Sequence, residues 1–477
     1  MFPTKLTAIL ILTLTFALTV FAQEKGKPPV IIIPGVTGSE LVNPETGRTV
    51  WFSVRRDKND DIRLPITSAK LSDNRDSLKA TDIIRKVGLP VLPDVEVYQS
   101  LIDALKEKGY TEATWDNPKA TDVFYVFAYD WRRDNVETAR LLTEKMTAAK
   151  RKLRRPSLKF DILAHSMGGL ISRYAAMYGG AEPPKAVNPK PTWAGAAHIR
   201  KLMMFGTPNE GSVSSFDALV NGYPIVADRK LPFIDDLTPE DVMTSPSSFQ
   251  LLPHQISARF LDEDLKPLAV DLYSVDTWLK YGWGAISDPK FLSKLKDADK
   301  LAETNKDIKP STPGKDANVD DLAISETTYA QAKAYFASGL ERARLFHKAL
   351  NAVSATVPIE VFAYGGNCSD TPDAAIIVED RSKGKWQTIV DAREFKTSAG
   401  KTVKKEEVRA VIFTIGDGRV TQRSLLAESS IDGPEFPKIG FASTSFGCGT
   451  HTKLFLDKPI QDSFLSALVV SRATESK

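Results

Sequence analysis

Short, wholly apolar runs recur along this chain with helix-like stretches between them, and few folds can house that rhythm. The first is PPVIIIPG at 28–35, where four consecutive β-branched residues, Val30 to Ile33, end at Pro-Gly. Such a run has no polar face, so it predicts a strand buried on both sides, as in a parallel sheet. Similar runs follow: VFYVFAYD (123–130), FDILAHS (160–166), IRKLMMFGTP (199–208), IEVFAYGG (359–366) and RAVIFTIGDG (409–418). Between several of them, residues 136–153, 170–178 and 459–469 carry apolar side chains at helical spacing. The expected class is α/β, a mostly parallel central sheet with helices on both faces and right-handed crossovers.

Two stretches break the rhythm. Residues 39–95 are polar with scattered strand-like fragments, and 212–355 form a larger insertion containing YPIVADRKLPFIDDL and DLYSVDTWLKYGWGAI. The second closes on a long helix-like run for which Ser325 is the expected N-cap. The segment 380–408 is charged and reads as a hairpin-like surface excursion. At 477 residues the chain exceeds the usual single domain, so one core carrying insertions is the natural layout. The core is expected at 28–211 and 356–477, with 212–355 as a cap or lid.

A single lysine, Lys5, precedes an apolar run from Leu6 to Val20, and Val20-Phe21-Ala22 has the small-x-small form of a cleavage site. Residues 1–22 therefore read as a secretory leader, shorter than the roughly 20 apolar residues of a membrane span. The expected location is secreted or periplasmic. The 63 basic and 60 acidic residues give a net charge of +3, which offers no electrostatic reason for a nucleic-acid partner. The basic run at 150–155 reads as a solvated helix end. Cys368 and Cys448 are the only cysteines, and in an exported chain they allow one disulfide; two buried thiols are the other reading.

The densest chemical signal is AHSMGG at 164–169, directly after a strand-like run and before a helix-like one. A nucleophile elbow needs that context, because a strained turn must lift the serine above the sheet and small residues must let strand and helix backbones pass. Ser166 is the expected nucleophile. A serine hydroxyl needs a base oriented by a carboxylate, and in this fold the order is serine, acid, histidine. Of His165, His198, His254, His347 and His451, only His451 follows the last strong strand. Asp417, between two glycines at the end of VIFTIGDG, is the expected acid, with Asp391 and Glu435 as weaker alternatives. The oxyanion is expected to be held by the backbone N–H groups of Met167, which follows the nucleophile, and Val36, at the turn after the first strand. This chemistry calls for no metal and no cofactor.

With these residues in view the chain resembles the lecithin–cholesterol acyltransferase family, with its lysosomal phospholipases and phospholipid:diacylglycerol acyltransferases. The resemblance rests on PVIIIPGVTGSEL, AYDWRRD (128–134), LAHSMGGLISRY, MFGTPNEGS, IEVFAYGG, GDGRV and HTKLFLD, which run in family order across most of the chain. It implies an α/β-hydrolase fold, Val36 and Met167 as oxyanion donors, a small membrane-contacting segment within 39–95, and a cap before the acid strand. It further implies a lipid or phospholipid substrate met at a membrane or lipid-particle surface, by hydrolysis or by acyl transfer. The chain departs from the family at Arg419, where threonine is usual, and has no cysteine within 39–95; Cys368 lies beyond the family's cysteine position, so no family disulfide carries over. Trp131 reads as a packing residue. An esterase or depolymerase for non-lipid esters, and a non-catalytic lipid-binding surface protein, are the competing readings. Oligomeric state is not legible in the sequence.

Overall fold

A computed structural model describes residues 26–53, 61–89, 92–224, 236–310, 324–354, 356–380, 384–429 and 439–469. The leader at 1–22 and Glu435 lie outside the described residues. Seven strands build the central sheet: β1 (Val30–Ile33), β2 (Thr111–Glu112), β3 (Val123–Val126), β4 (Phe160–His165), β5 (Ile199–Phe205), β6 (Glu360–Gly366) and β7 (Phe441–Gly447). Their order is β7-β6-β5-β4-β1-β3-β2, and every neighbouring pair is parallel. This is the parallel α/β sheet that the apolar runs predict, in the α/β-hydrolase architecture that the resemblance implies.

Five helices matter for the site: α1 (Gln99–Glu107), α2 (Asn135–Lys152), α3 (Met167–Tyr178), α4 (Tyr329–Leu350) and α5 (Lys458–Val469). Alternate side chains of each strand point to opposite faces, and the two faces have separate cores. Ile31, Ile33, Ile162, Ala164, Leu202 and Met204 pack with α2 and α3. Val30, Ile32, Leu163, Met203 and Phe205 pack with α1 and α5. β1 sits between β4 and β3 with no exposed surface, which is why VIII tolerates no polar residue.

The sheet corrects one strand assignment. Of residues 409–418, the first four close a helix, Lys405–Ile412, and only Phe413–Gly416 is extended. That short strand pairs antiparallel with Ser369–Pro372, outside the central sheet. Val408 and Ile412, one helical turn apart, are the buried residues of the helix, and a short apolar run hides that spacing. The place on the sheet belongs to β7, FASTSFG, an edge strand beside β6 in which no residue is fully buried. Edge strands need no continuous apolar run, so its sequence is silent.

Residues within 39–95 form a three-stranded antiparallel sheet, Thr49–Trp51, Ser39–Val42 and Lys79–Ile83, and a hairpin, Lys86–Leu89 with Leu92–Glu96. Arg132, fully buried, ties this region to the AYDWRRD segment through Asp76, Asp130 and the Ile62 carbonyl. Trp131 is buried and packs on Trp51, with ring centroids 5.3 Å apart.

Within 212–355 the helices gather around aromatic side chains: Phe216 meets Phe260, Trp278 and Trp283, and Trp278 meets Phe336. This cluster is continuous with the α2–α3 face of the sheet core. α4 lies against the elbow helix: Tyr174 stacks on Phe346, and the Tyr178 hydroxyl donates to the Ala349 carbonyl. Its N-cap is Thr328, not Ser325: Thr328 Oγ1 accepts from the Gln331 N–H, and Gln331 reaches back to the Thr328 N–H. That reciprocal pair is a capping box. Phe260–Leu261 also pairs parallel with Ala375–Asp380, which continues into a hairpin with Lys385–Ile389. Among the described residues, no helix is long and apolar enough to cross a membrane.

Candidate active site

β4 ends at His165 and α3 begins at Met167, so Ser166 alone makes the turn between them. Its φ of 53° and ψ of −123° are unusual for a residue with a side chain and costly unless the surroundings impose them. The surroundings do so. Ser166 N–H donates to the Phe205 carbonyl at 2.8 Å, and Gly169 N–H donates to the Ser166 carbonyl at 2.9 Å. A Cβ on Gly168 would lie 2.5 Å from the Pro34 carbonyl oxygen, and one on Gly35 would lie 2.9 Å from the Ser166 Cβ. These glycines let the turn, the helix and the loop after β1 occupy one small space.

His451 reaches Ser166 from the loop after β7. Its Nε2 is 2.9 Å from Ser166 Oγ, and its Nδ1 is 2.8 Å from Asp417 Oδ2. A carboxylate accepts, so Nδ1 carries the proton and Nε2 is the acceptor for the serine hydroxyl. The His451 N–H also donates to the Asp417 carbonyl at 2.9 Å, which locks the two loops together. Asp417 Oδ1 accepts from the N–H groups of Arg419 (3.0 Å) and Val420 (2.8 Å). The carboxylate is thus held through backbone donors, and the change at Arg419 leaves that contact intact. Ser166, Asp417 and His451 are 6%, 2% and 8% exposed. Asp391 pairs with Arg393 and has no contact with His451 among the described residues.

The acid loop is held from the MFGTPNEGS segment. Asn209 accepts from Arg173 Nη1 at 3.0 Å and donates to the Leu425 carbonyl at 2.6 Å, while Ser424 Oγ donates to the Gly211 carbonyl at 2.7 Å. Burial pushes the Arg173 guanidinium down to about 10. Asn209 and Ser424 are support residues that no catalytic motif marks.

Val36 and Met167 flank Ser166 from two sides. As the first residue of α3, Met167 has no intrahelical acceptor for its N–H, and among the described residues neither its N–H nor that of Val36 meets an acceptor. The Val36 turn is fixed by Gly38 N–H donating to the Gly35 carbonyl (3.1 Å) and by Trp51 Nε1–H donating to the Thr37 carbonyl (2.8 Å). Thr37 sits at a φ of 62°. A small pocket, about 40 Å³, is lined by Val36, Thr37, Trp131, Ala218, Tyr223 and Leu251.

Cys368 and Cys448 form a disulfide with Cα atoms 4.9 Å apart. Cys448 lies just before His451, and Cys368 just before the strand that pairs with Phe413–Gly416 and leads to Asp417. The other histidines lie elsewhere, with one exception. His254 and His347 stack on each other within the insertion, and His198 Nδ1 lies 3.4 Å from Lys150 Nζ on α2. His165 is the exception: its ring lies 4.9 Å from that of His451.

The lecithin:cholesterol acyltransferase family model matches residues 76–304. No curated protein matches the chain. Among solved structures, the chain is similar to one from the Tle4–Tli4 complex, with TM-score 0.45 and 15% identity over 92% of this chain and 97% of that one. It is also similar to the mature form of the Bacillus licheniformis lipase BlEst2, with TM-score 0.34 and 11% identity over 94% of each chain. The architecture itself stands on the sheet order and the elbow. Through residues 76–304, the segment that contains Ser166, the chain matches the model of the lecithin:cholesterol acyltransferase family.

Proposed function

We propose that this chain is an exported serine acyl-ester hydrolase or O-acyltransferase acting on lipid esters, phospholipase- or lipase-like in its chemistry. One observation carries the reading: Ser166 Oγ, both nitrogens of the His451 ring and Asp417 Oδ2 form an unbroken chain of contacts at 2.9 and 2.8 Å beside two backbone N–H groups without acceptors. His451 takes the Ser166 proton as Oγ attacks the ester carbonyl, and Asp417 stabilises the imidazolium. The Val36 and Met167 amides receive the developing oxyanion. His451 then returns the proton to the leaving alcohol, leaving an acyl-enzyme. Water or a second alcohol, deprotonated by the same histidine, releases the acyl group.

The cavity beginning at Val36 supports an acyl chain as the group bound, since an apolar chain gains most from an apolar wall next to the reacting carbonyl. Export is supported by the leader sequence and by the disulfide, a linkage that persists outside the reducing cytosol. The insertion at 212–355 acts as the cap, and residues within 39–95 meet the lipid surface.

The test is product analysis on phospholipid vesicles, with and without an added long-chain alcohol. Free fatty acid in both cases makes the chain a hydrolase, and a new ester with the alcohol makes it an acyltransferase. Neither product from wild-type protein, or the same products from Ser166→Ala, would contradict the proposal.

A further inference from the structure

His165 is the one histidine near the site that the triad chemistry does not use, and its hydrogen bonds have forced directions. Gly35 N–H donates to the Tyr98 hydroxyl oxygen at 2.8 Å, that hydroxyl lies 2.9 Å from His165 Nδ1, and His165 Nε2 lies 2.9 Å from the His451 carbonyl oxygen. A carbonyl only accepts, so Nε2 must carry the proton. Burial first, and the neighbouring His451 second, push His165 down to about 3, so the ring is neutral and Nδ1 is bare. Burial raises Tyr98, which keeps its hydroxyl proton. With one lone pair engaged by Gly35, Tyr98 sends that proton to His165 Nδ1. Phe455 packs against both rings, at 5.9 Å from Tyr98 and 5.5 Å from His165. Tyr98 is 2% and His165 6% exposed.

The outcome is a one-way line of donors: Gly35 N–H to Tyr98, Tyr98 to His165, His165 to the His451 backbone. Its ends are the two parts that must be placed on either side of Ser166. Gly35 precedes Val36, the proposed oxyanion donor, and His451 is the proposed base. We propose that Tyr98 and His165 are positioning residues, a buried relay that sets the oxyanion loop and the histidine loop at a fixed separation for acyl transfer. This rests on the serine mechanism proposed above. Because the two loops come from opposite ends of the chain, about 400 residues apart in sequence, a direct tie between them is needed to hold a geometry in which misplacement by about 1 Å can cost a hundredfold.

The relay separates from ordinary packing by side-chain chemistry. Tyr98→Phe keeps the ring and removes both hydroxyl contacts. His165→Leu removes both ring contacts, and His165→Gln restores a donor able to reach the His451 carbonyl. The experiment measures kcat and KM on a soluble short-chain ester, the second-order rate of fluorophosphonate labelling, and Tm, for wild type, Ser166→Ala, the three variants and Tyr98→Phe/His165→Leu. The relay predicts that Tyr98→Phe and His165→Leu each lower kcat and labelling about tenfold to a hundredfold, with KM within about twofold. His165→Gln should recover at least several-fold over His165→Leu, and the double variant should be no slower than the slower single one, because both break one line. If Ser166→Ala abolishes labelling while folded Tyr98→Phe and His165→Leu label at the wild-type rate, or if their effects multiply, the relay is wrong and the serine mechanism stands. If Ser166→Ala still labels, the serine mechanism and the relay fall together.

Discussion

Two pairs of buried histidines sit in this molecule, and their surroundings could hardly differ more. His165 and His451 lie at the junction of β4 and the loop after β7, with ring centroids 4.9 Å apart. His254 and His347 stack at 4.0 Å inside the insertion. In the second pair, His254 Nδ1 meets the Asn351 side-chain oxygen, and His347 meets the Tyr273 hydroxyl and the Gln250 carbonyl. Among the described residues, only the first pair includes a ring that meets both a carboxylate and a serine hydroxyl. Burial alone therefore does not distinguish the two pairs; the contacts of His451 with Asp417 and Ser166 do.

The largest test of that contrast is removal of the ring. His451→Ala should cost on the order of 10⁴- to 10⁶-fold in ester turnover, comparable with Ser166→Ala and not additive with it. His254→Ala and His347→Ala should leave the turnover of the folded protein within about threefold. The assay is kcat on a soluble ester with folded fraction measured in parallel. Equal losses at the two pairs would erase the contrast.

The next test leaves the ring and changes its orienter. Asp417→Asn offers Nδ1 a group that can donate as well as accept, so the wrong tautomer becomes available. The expected loss in kcat is about 10³- to 10⁴-fold, the size of the effect when a serine protease triad loses its carboxylate to an amide. A loss below tenfold would mean that the Asp417 contact is structural only.

A smaller effect is expected from the cavity. Ala218 is buried on its wall, and Ala218→Trp should fill part of the space. Turnover of a long-chain ester should fall roughly tenfold relative to a short one, in line with the few kcal/mol at stake in a blocked apolar contact. Equal change on both substrates would remove the cavity from the acyl path.

The smallest effect is thermodynamic and belongs to the structural pair. Burial holds His347 down to about 4, below the ordinary 6.5. The folded state therefore binds fewer protons than the unfolded state between these values. Stability from this group is complete above pH 6.5 and declines as pH falls towards 4. His347→Gln should flatten the fall in Tm over that window without changing the labelling rate at pH 8. An unchanged slope would show that other groups govern acid unfolding.

The parts of this molecule that were legible in its sequence are those fixed by local constraint. Val30–Ile33 can only be a doubly covered strand, and Ala164 to Gly169 read as an elbow because the small residues surround a serine at a strand–helix junction. Chain order then singled out Asp417 and His451, and the structure brings both to Ser166. β7 stayed hidden because an edge strand with exposed residues needs no apolar pattern. Residues 409–412, the end of a helix, pass for part of a strand because a four-residue helical period and a short apolar run look alike. Tyr98 and His165 were missed as a unit, since their partners, Gly35 and the His451 carbonyl, are backbone groups far away in sequence. No residue type announces such a contact.

The central claim is that Ser166 is the activated nucleophile of this site. Treating the folded protein with a fluorophosphonate and mapping the adduct by peptide mass spectrometry tests it most directly. The account predicts one adduct per chain, on the peptide carrying AHSMGG at Ser166, formed rapidly in wild type and lost in His451→Ala. An adduct on a different residue, or no adduct on folded wild-type protein, would contradict it.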